Sequence, residues 1–522
     1  MAQRVTDETL NTLFPVPSPA PSQQAPTRFP GIAPDSVAAL QRTLKDNHVK
    51  WHIFFNFKRF HNHASHQLLA IYQLGANGPL IDAAYEKQVK TQRDAFKSPD
   101  RITHDNFHEH LGDEDYYEAY LSFFTDALLK KGASTTIEEY IFSPKANIEP
   151  PKPGRPPMQM VNRLLSGLLH PLIHTGYGAE FGLLGMFAEG LAQTAVHRVL
   201  APALTPPSIM RYASAATFDA ANAAMNRITS LFPSLILDQL HRVVQPSQPQ
   251  RTKSVHALSL VARISKDDYY SYKTIALPPP ANSEEDTSLE RVLHLRGDAL
   301  VKLMDDWTVD GTNAQEVENK IEELFWTNVT IYGIGGWGAR KHSKTGKFNG
   351  DFFLVHLVTS VLFLPSLVAY LSPTSINILL RTYLLNTLAL YVARGRPALP
   401  VADFFDSVTP TPSPPSDPPK PSDGTLNPEN PTANAWLALV QSTVMHPDDH
   451  LCKLQRSLAH FASLYGSAPA GHLKELGVEL DGAEKIDGSL FVRVAGLSMD
   501  RLGWMREGQE EQEWDFDAFY HD

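Results

Sequence analysis

The chain has 522 residues, a formal net charge of −11 and 43% hydrophobic residues. This composition supports a large buried core and excludes a wholly disordered protein. The acidic excess, without a run of Lys and Arg, argues against a nucleic-acid-binding protein. Because Cys452 is the only cysteine, disulfide scaffolds and multi-cysteine metal sites are excluded, and any metal must be held by His, Asp or Glu.

Most of the chain shows the helical spacing of apolar residues, so the sequence predicts a mainly α fold. The pattern runs in chain order from SVAALQRTLKDN through DYYEAYLSFFTDALLKKGA and INILLRTYLLNTLALYVAR to DHLCKLQRSLAHFASLYG. Only TNVTIY and SLFVRVAG favour short strands. GIGGWG (333–338) matches a dinucleotide-binding fingerprint in letters but lacks the apolar helix that should follow, so we interpret it as a flexible surface loop.

Proline-rich segments suggest how the chain is divided. Residues 1–35 are predicted to form a Pro/Ser-rich tail, and residues 36–406 a single helical body with a further proline-rich insertion at 142–157. Residues 407–434 are dense in Pro and Ser and predict a flexible linker. Residues 435–522 are predicted to be a C-terminal helical segment packed on the body.

One apolar segment, FFLVHLVTSVLFLPSLVAYL (352–371), is long enough to span a bilayer. It contains a histidine, several hydroxyl groups and Pro365, and it has no basic flank on its C-terminal side. A buried pair of helices broken at Pro365 is the better interpretation. Since the N-terminus also lacks a continuous apolar stretch, we expect a soluble, cytoplasmic protein without a membrane partner.

Three groups of histidines lie in apolar helical segments. In HPLIHTGYGAEFG, His170 and His174 are one helical turn apart and share a face. In FHNHASHQLLAIY, His63 and His66 are three residues apart and share another face. The third group is a single residue, His356, in DFFLVHLVTSVLFLP.

A buried neutral imidazole needs a partner for each of its two nitrogens, and binding a metal with one while hydrogen-bonding with the other satisfies both. A lone histidine such as His356 is more often a hydrogen-bonded core residue, and an HxxxH pair also arises by chance. Together the groups predict a shared histidine-only metal site suited to Fe(II), Zn or Cu. Gly178, Gly182 and Gly185 follow at helical spacing and predict a tight helix crossing beneath it.

The segment MHPDDHLCK gathers four polar residues, His446, Asp448, Asp449 and His450. The two aspartates fit the capping positions of the helix that follows, so we interpret this segment as a helix start. The chain contains no nucleophile elbow, P-loop or EF-hand loop.

With these motifs in order, the chain resembles the questin oxidase-like family of fungal enzymes, which includes questin oxidases and Baeyer–Villiger-type oxidases of aromatic polyketide pathways. The resemblance runs from about residue 36 to the C-terminal EWDFDAFY and rests on HNHASHQLLAIYQLGA, HPLIHTGYGAEFG, DFFLVHLVTSVLFLP, YVARGRPAL and HPDDHLCKLQRSL. It implies an oxidoreductase that uses O2 to oxygenate or cleave a ring of an anthraquinone- or anthrone-like polyketide, with NADPH as the reductant.

The implied chemistry gives the histidines a role. O2 does not react directly with a closed-shell aromatic molecule unless a flavin, a metal or a substrate radical takes part, and no flavin-binding pattern is present. We therefore expect Fe(II) to be bound by His66, His170, His174 and His356, with His63 as a substitute ligand or a catalytic partner beside them.

Three other residues complete the predicted site. Glu180 and Asp351 are candidates to orient an imidazole. Two positions depart from the family pattern: Gln67 stands where a second histidine is common, and Tyr383 aligns with a lysine. Tyr383 is a candidate to hydrogen-bond a substrate oxygen or to bind the metal.

Two other functions stay open on the sequence alone. In a metal-independent, NADPH-linked oxidase, the histidines would be acid–base groups around a quinone. In a non-catalytic helical binding protein, the departures at Gln67 and Tyr383 would mark the loss of activity. In each case we expect a small-molecule partner and a monomer or homodimer.

Overall fold

A computed structural model describes residues 6–210, 254–280, 287–342, 346–415, 420–426 and 432–521. The fold is 59% helical, which confirms the mainly α prediction. Within the described ranges, β structure is limited to isolated bridges. The two predicted strands are wrong, because both segments lie in helices whose buried faces outweigh the β-propensity of their branched residues.

The helices follow one another in chain order. The first half contains α1 (Asp7–Leu13), α2 (Pro34–Lys50), α3 (Ala64–Gln73), α4 (Gly78–Gln88), α5 (Tyr117–Ile137), α6 (Pro144–Asn147), α7 (Met160–Leu164), α8 (Ser166–Phe181), α9 (Leu184–Val196), α10 (Ala257–Lys266) and α11 (Tyr272–Ile275). The second half contains α12 (Ser288–Met304), α13 (Ala314–Val329), α14 (Gly335–Ala339), α15 (Val355–Val361), α16 (Leu364–Val368), α17 (Pro373–Ala393), α18 (Val401–Ser407), α19 (Ala435–Thr443), α20 (Leu451–Tyr465), α21 (His472–Glu475) and α22 (Leu490–Leu502).

Short irregular helices connect several of these elements. The 3-10 turns are Val89–Thr91, Glu114–Tyr116, Pro202–Leu204, Asp268–Tyr270, Arg340–His342, Ala483–Lys485 and Met505–Glu507. The π turns are Glu138–Phe142 and Thr330–Ile334.

Side-chain caps fix where many helices begin. The side chains of Asn77, Thr287, Asn313 and Ser372 each accept a hydrogen bond from a backbone N–H in the first turn of α4, α12, α13 and α17. Such caps satisfy N–H groups that have no partner inside the helix.

Four helices from distant parts of the sequence form the part of the core that matters most here. α3 packs on α8 and α20, and α15 packs on the same two helices, which closes a ring of four. A side chain that points inward from any of them meets side chains from the other three.

The apolar segment 352–371 forms the buried pair α15 and α16, with Pro365 in the first turn of the second helix, as predicted. Among the described residues, one helix, Pro373–Ala393, is long and apolar enough to cross a membrane, and 89% of its most apolar window is buried inside the protein. Packing in the core accounts for its apolar composition.

The prediction of a surface loop at residues 333–338 is wrong. The segment continues the π turn and forms α14, and its glycines are almost all buried. A Cβ added at Gly336 would lie 2.3 Å from the carbonyl oxygen of Asn349. The glycines therefore allow close packing, not loop mobility.

The predicted stripe of three glycines is also wrong, because it spans two helices. Gly182 has a φ of 67° and ends α8, so Gly185 lies in α9 and faces Phe14. Gly178 does allow a close crossing, since a Cβ there would lie 2.8 Å from the backbone nitrogen of Phe187.

The predicted division of the chain stays a prediction. The N-terminal tail contains α1 and the buried Phe14, so it packs on the protein. Residues 416–419 and 427–431 of the expected linker lie outside the described residues. In the C-terminal segment, α20 belongs to the four-helix ring.

Candidate metal centre

Histidines from the four-helix ring converge at its centre. His63 is the residue immediately before α3, His170 is the first residue of the regular part of α8, and His450 immediately precedes α20. One nitrogen of each lies within 4.8 Å of the others, and all three residues are buried. The ring of His356 in α15 lies 4.9 Å from that of His170 and 5.0 Å from that of His450, centroid to centroid.

One nitrogen of each ring is held by an oxygen. Nδ1 of His170 and Nδ1 of His356 each donate to a backbone carbonyl of the preceding turn, at 2.6 Å and 2.7 Å. Nδ1 of His450 donates to the carboxylate of Asp449 at 2.6 Å. The acceptor in each case places the proton on Nδ1 and leaves a lone pair on Nε2.

These Nε2 atoms lack ordinary partners. Nε2 of His356 and of His450 are buried and have no hydrogen-bond partner in the described part of the chain. Nε2 of His63 lies 2.7 Å from Nε2 of His170, while Nδ1 of His63 faces Asp449 at 3.6 Å. With its proton on Nε2, His63 donates a hydrogen bond to the lone pair of His170, and a metal ion that displaced this proton would be held by both imidazoles. The donor set therefore fits a bound metal ion.

The electrostatic environment favours the neutral form of the buried imidazoles, which is the form that binds a metal. Burial lowers the pKa of His61, His63, His170 and His356 well below 6.5, and the neighbouring imidazoles lower it further. Burial alone would raise the pKa of Asp449, but the adjacent imidazoles hold it well below 3.8. The result is a set of neutral nitrogen ligands beside one carboxylate, which suits a divalent cation.

A buried lysine lies beside the cluster. Lys453, one turn into α20, is 2% exposed, and its Nζ has no hydrogen-bond partner among the described residues. Burial lowers its pKa, although Asp449 opposes the effect. A buried amine without a partner costs folding free energy, so its presence at this place indicates a function.

A second set of histidines forms a hydrogen-bonded chain next to the centre. Nε2 of His66 contacts Nδ1 of His174 at 3.0 Å, and Nε2 of His174 contacts Glu189 at 2.7 Å. Glu189 also contacts His48 at 2.6 Å. Burial opposes ionisation of Glu189, yet hydrogen bonds from the two imidazoles lower its pKa to about 2. Both nitrogens of His174 are therefore occupied.

A third pair lies behind His170. The ring of His61 stacks on that of His170 at 3.9 Å, and Nε2 of His61 lies 2.8 Å from Nε2 of His197. Gly167 makes room for this pair, because a Cβ there would lie 2.5 Å from Cε1 of His197. Gly167 and the two leucines after it all have positive φ. A backbone conformation of this kind is kept only where the surrounding contacts hold it in place, which is common at functional sites.

A pocket of about 230 Å³ connects the centre with the surface. It is lined by His61, His63 and Asp449 on the inside and by Phe55 and Gln88 toward the mouth. Since His63 and Asp449 line it, the pocket reaches the edge of the cluster.

Comparison with known proteins assigns a family to this arrangement. The family model described as questin oxidase-like matches residues 60–458, which include the whole histidine cluster. The chain belongs to the questin oxidase-like family. This confirms the resemblance proposed from the sequence.

Named relatives of this questin oxidase-like protein are fungal oxidative enzymes. It is 25% identical to the oxidoreductase AflY of Aspergillus parasiticus over 85% of this chain and 79% of that protein. It is 23% identical to a questin oxidase of Aspergillus terreus over 81% of this chain and 80% of the relative. The match to the Baeyer–Villiger monooxygenase AacuH of Aspergillus aculeatus is 31% identical but spans only 34% of that protein's length. These names agree with the prediction of an enzyme of this family.

The structure brings part of the predicted ligand set together. His170 and His356 lie at the centre, whereas His66 and His174 lie in the chain beside it. His63, predicted as a substitute, contacts His170 directly. Sequence reasoning missed His450, because the aspartates around it explain the segment as a helix start; the signal was a second histidine four residues after His446.

The predicted orienting carboxylates serve other groups. Glu180 forms a buried ion pair with Arg456, and Asp351 pairs with Arg394 while its other oxygen accepts from the N–H groups of the turn before α15. A buried guanidinium binds a carboxylate more strongly than a neutral imidazole does, so both acids are taken by arginines. The carboxylate that contacts His174 is Glu189 instead.

The two departures from the family pattern lie apart from each other. The hydroxyl of Tyr383 is buried against Asn328, Ser360 and a backbone carbonyl of α15, and we find it in a core network, not among the histidines. Gln67 accepts a hydrogen bond from Gln88, which also donates to the carboxylate of the centre. Gln67 therefore helps to hold Gln88, which lines the pocket.

Proposed function

We propose that this protein is an oxidoreductase that uses O2 to oxygenate or cleave a ring of a phenolic aromatic polyketide of the anthraquinone or anthrone type. Family membership and the names of the relatives support the reaction class. The observation that carries the proposal is the cluster of His63, His170, His356 and His450, in which two buried Nε2 atoms have no partner among the described residues and His63 lines a pocket.

We propose Fe(II) as the metal and His63, His170, His356 and His450 as the residues that hold it. Two of the predicted ligands, His170 and His356, stay in this set. His63 and His450 replace His66 and His174, because Nε2 of His66 and Nδ1 of His174 are hydrogen-bonded to each other. Bound iron supplies the one-electron chemistry that O2 needs with a closed-shell aromatic substrate.

The protein's own groups prepare the substrate. Asp449 contacts His450 and faces His63, so a negative charge holds two imidazoles in orientation. Burial lowers the pKa of Lys453 and its Nζ has no hydrogen-bond partner among the described residues, so we assign it the role of a nitrogen ligand or of the base that accepts the phenolic proton of the substrate. The narrow pocket admits a flat molecule and limits the water around it.

The metal-independent alternative is less well supported. It requires histidines that exchange protons near neutral pH, but burial lowers the pKa of His61, His63, His170 and His356 well below 6.5. We further propose that NADPH is the reductant and that the protein is cytoplasmic.

The test combines metal analysis with O2 uptake. Purified protein and the His170→Ala variant are loaded anaerobically with Fe(II), desalted and analysed for bound iron. O2 uptake is then recorded with an anthrone or a phenolic anthraquinone, with and without NADPH. We expect about one iron per chain and substrate-dependent uptake in the wild type, and loss of both in the variant.

His342→Ala is the matched control, because this histidine is exposed and stacks on His521 away from the cluster. It should keep iron and activity. Turnover by iron-free protein would favour the metal-independent oxidase. Bound substrate without any O2 uptake in iron-loaded protein would favour the non-catalytic binding protein.

A further inference from the structure

A second pocket, of about 300 Å³, opens on the surface behind the His61–His197 pair. Its lining is Phe57, Lys58, Arg59, His197 and Arg198, and we call it the basic pocket. It shares no lining residue with the pocket that reaches the candidate metal centre. It therefore needs an account of its own.

The charges of the basic pocket are largely uncompensated. Lys58 and Arg198 are exposed, and neither side chain has an ion-pair partner in the part of the chain that the structure describes. Arg59 is 3.6 Å from Glu114, a loose pair whose acid is shared with Arg93. In a protein with a net charge of −11, three cations around one concavity favour an anionic ligand.

An aromatic ring stands beside these cations. Phe57 is 84% exposed, and the guanidinium of Arg93 lies 4.7 Å from its ring centroid. A phenylalanine this exposed does not contribute to packing of the hydrophobic core. A ring with a cation near it and a free face is a stacking platform for a planar base.

The segment that carries these side chains has a defined shape. Phe55 and Phe60 are joined by a backbone hydrogen bond, and the side chain of Asn56 accepts from two N–H groups of the turn. Arg59 has a φ of 63°, a conformation that residues with a Cβ rarely adopt. Strained residues of this kind cluster at ligand sites.

The floor of the pocket is a buried polar group. His197 is 8% exposed, and its Nε2 is taken by His61. The contact with His61 takes only Nε2, so Nδ1 is the ring nitrogen of His197 that would meet a ligand oxygen. Burial lowers the pKa of His197 to about 3, with Arg59 and Arg163 adding to the effect.

We propose that the basic pocket binds a phosphate-bearing nucleotide, with its phosphate groups on Lys58, Arg59 and Arg198 and its base on Phe57. Lysine and arginine beside one another bind phosphate oxygens through charge-assisted hydrogen bonds. This inference rests on the proposed function, in which NADPH is the reductant, and assigns a place to that nucleotide. Binding is measured without iron or turnover, so failure of this site is distinguishable from failure of the metal centre.

The experiment is isothermal titration of the full-length protein at low salt with NADPH, with inorganic phosphate and with adenosine, which carries no phosphate. We expect NADPH to bind and adenosine to bind far more weakly. The Lys58→Ala/Arg198→Ala double variant should weaken NADPH binding by at least about tenfold, because it removes two charge-assisted contacts. Phe57→Ala should weaken NADPH and leave phosphate unchanged.

The control is Lys130→Ala/Lys474→Ala, which removes the same charge from exposed sites elsewhere and should stay within about twofold of the wild type. Unchanged NADPH affinity in the Lys58/Arg198 variant, or no NADPH binding to the wild type, overturns the proposal. Phosphate binding as tight as NADPH binding overturns the nucleotide assignment and identifies the free anion as the ligand. All readouts are independent of iron and of turnover.

Discussion

Two sets of histidines lie side by side in this protein, and they differ in how their nitrogens are satisfied. In the chain from His66 through His174 to Glu189, every contact of His174 is a complete hydrogen bond within the protein. At the centre, His356 and His450 each keep a buried Nε2 without a partner. Both sets are buried and rich in imidazole, so burial does not separate a structural histidine from a ligand. One unsatisfied nitrogen does not separate them either, since Nδ1 of His66 also lacks a partner among the described residues. What distinguishes the centre is that two such histidines, His356 and His450, lie beside each other, with ring centroids 5.0 Å apart.

The strongest test of this comparison is the removal of a nitrogen that has no partner. We expect His450→Ala to lose bound iron and to reduce O2 uptake on the order of 100-fold or more, because a ligand and the contact with Asp449 disappear together. Its free energy of unfolding should change little without metal. Metal analysis and urea unfolding of iron-free protein measure the two effects. Iron retained at wild-type stoichiometry would remove His450 from the site.

Lys453→Met should separate function from stability. The variant removes a buried amine that lacks a partner, so we expect iron-free protein to be as stable as wild type or more stable by about 1 kcal/mol. O2 uptake should fall on the order of 100-fold, the usual effect of losing a proton-transfer group.

Lys320→Met is the matched control for that variant. Lys320 is also buried, but its Nζ contacts Glu323 at 2.6 Å. Its removal leaves a carboxylate unpaired and should lower the free energy of unfolding by about 3 kcal/mol. If both lysine variants are destabilised alike, Lys453 has a structural partner and the functional argument for it fails.

His174→Ala tests the hydrogen-bonded chain from His66 through His174 to Glu189. We expect it to lower the free energy of unfolding by about 3 kcal/mol, because Glu189 and His66 each lose a buried partner. Bound iron should stay near wild type. Urea unfolding and metal analysis check this together, and loss of iron with unchanged stability would return His174 to the ligand set.

The sequence predicted the class of site better than its membership. Helical periodicity and the apolar surroundings of His170 and His356 were sufficient to predict a mainly α fold and a histidine centre. Spacing alone treats His170 and His174 as equivalent, since both lie on one face of α8. What distinguishes them is Glu189, a residue of the following helix, and no local pattern shows which imidazole it contacts.

Acid should also destabilise the protein through buried histidines outside these two sets. Burial lowers the pKa of His52, His256 and His460 to about 4 and that of His197 to about 3, whereas an unfolded histidine titrates near 6.5. Between these values the unfolded chain binds more protons, so stability falls as pH decreases from about 6.5 toward 4. Each such histidine contributes about 1.4 kcal/mol per pH unit. Urea unfolding at pH 7.5, 6.5, 5.5 and 4.5 measures the slope, and a flat profile would contradict the buried neutral imidazoles.

Tyr383→Phe gives the smallest expected effect and tests the departure from the family pattern. The hydroxyl contacts Asn328, Ser360 and a carbonyl of α15, the helix that carries His356. Its loss should cost about 1 to 2 kcal/mol of unfolding free energy, since buried polar groups lose a partner. Iron content and O2 uptake should stay within about twofold of wild type, because none of the hydrogen bonds of Tyr383 involves a histidine. A variant with normal stability and no iron would show that this hydroxyl reaches the centre, and the boundary drawn here between core network and metal site would then have to include it.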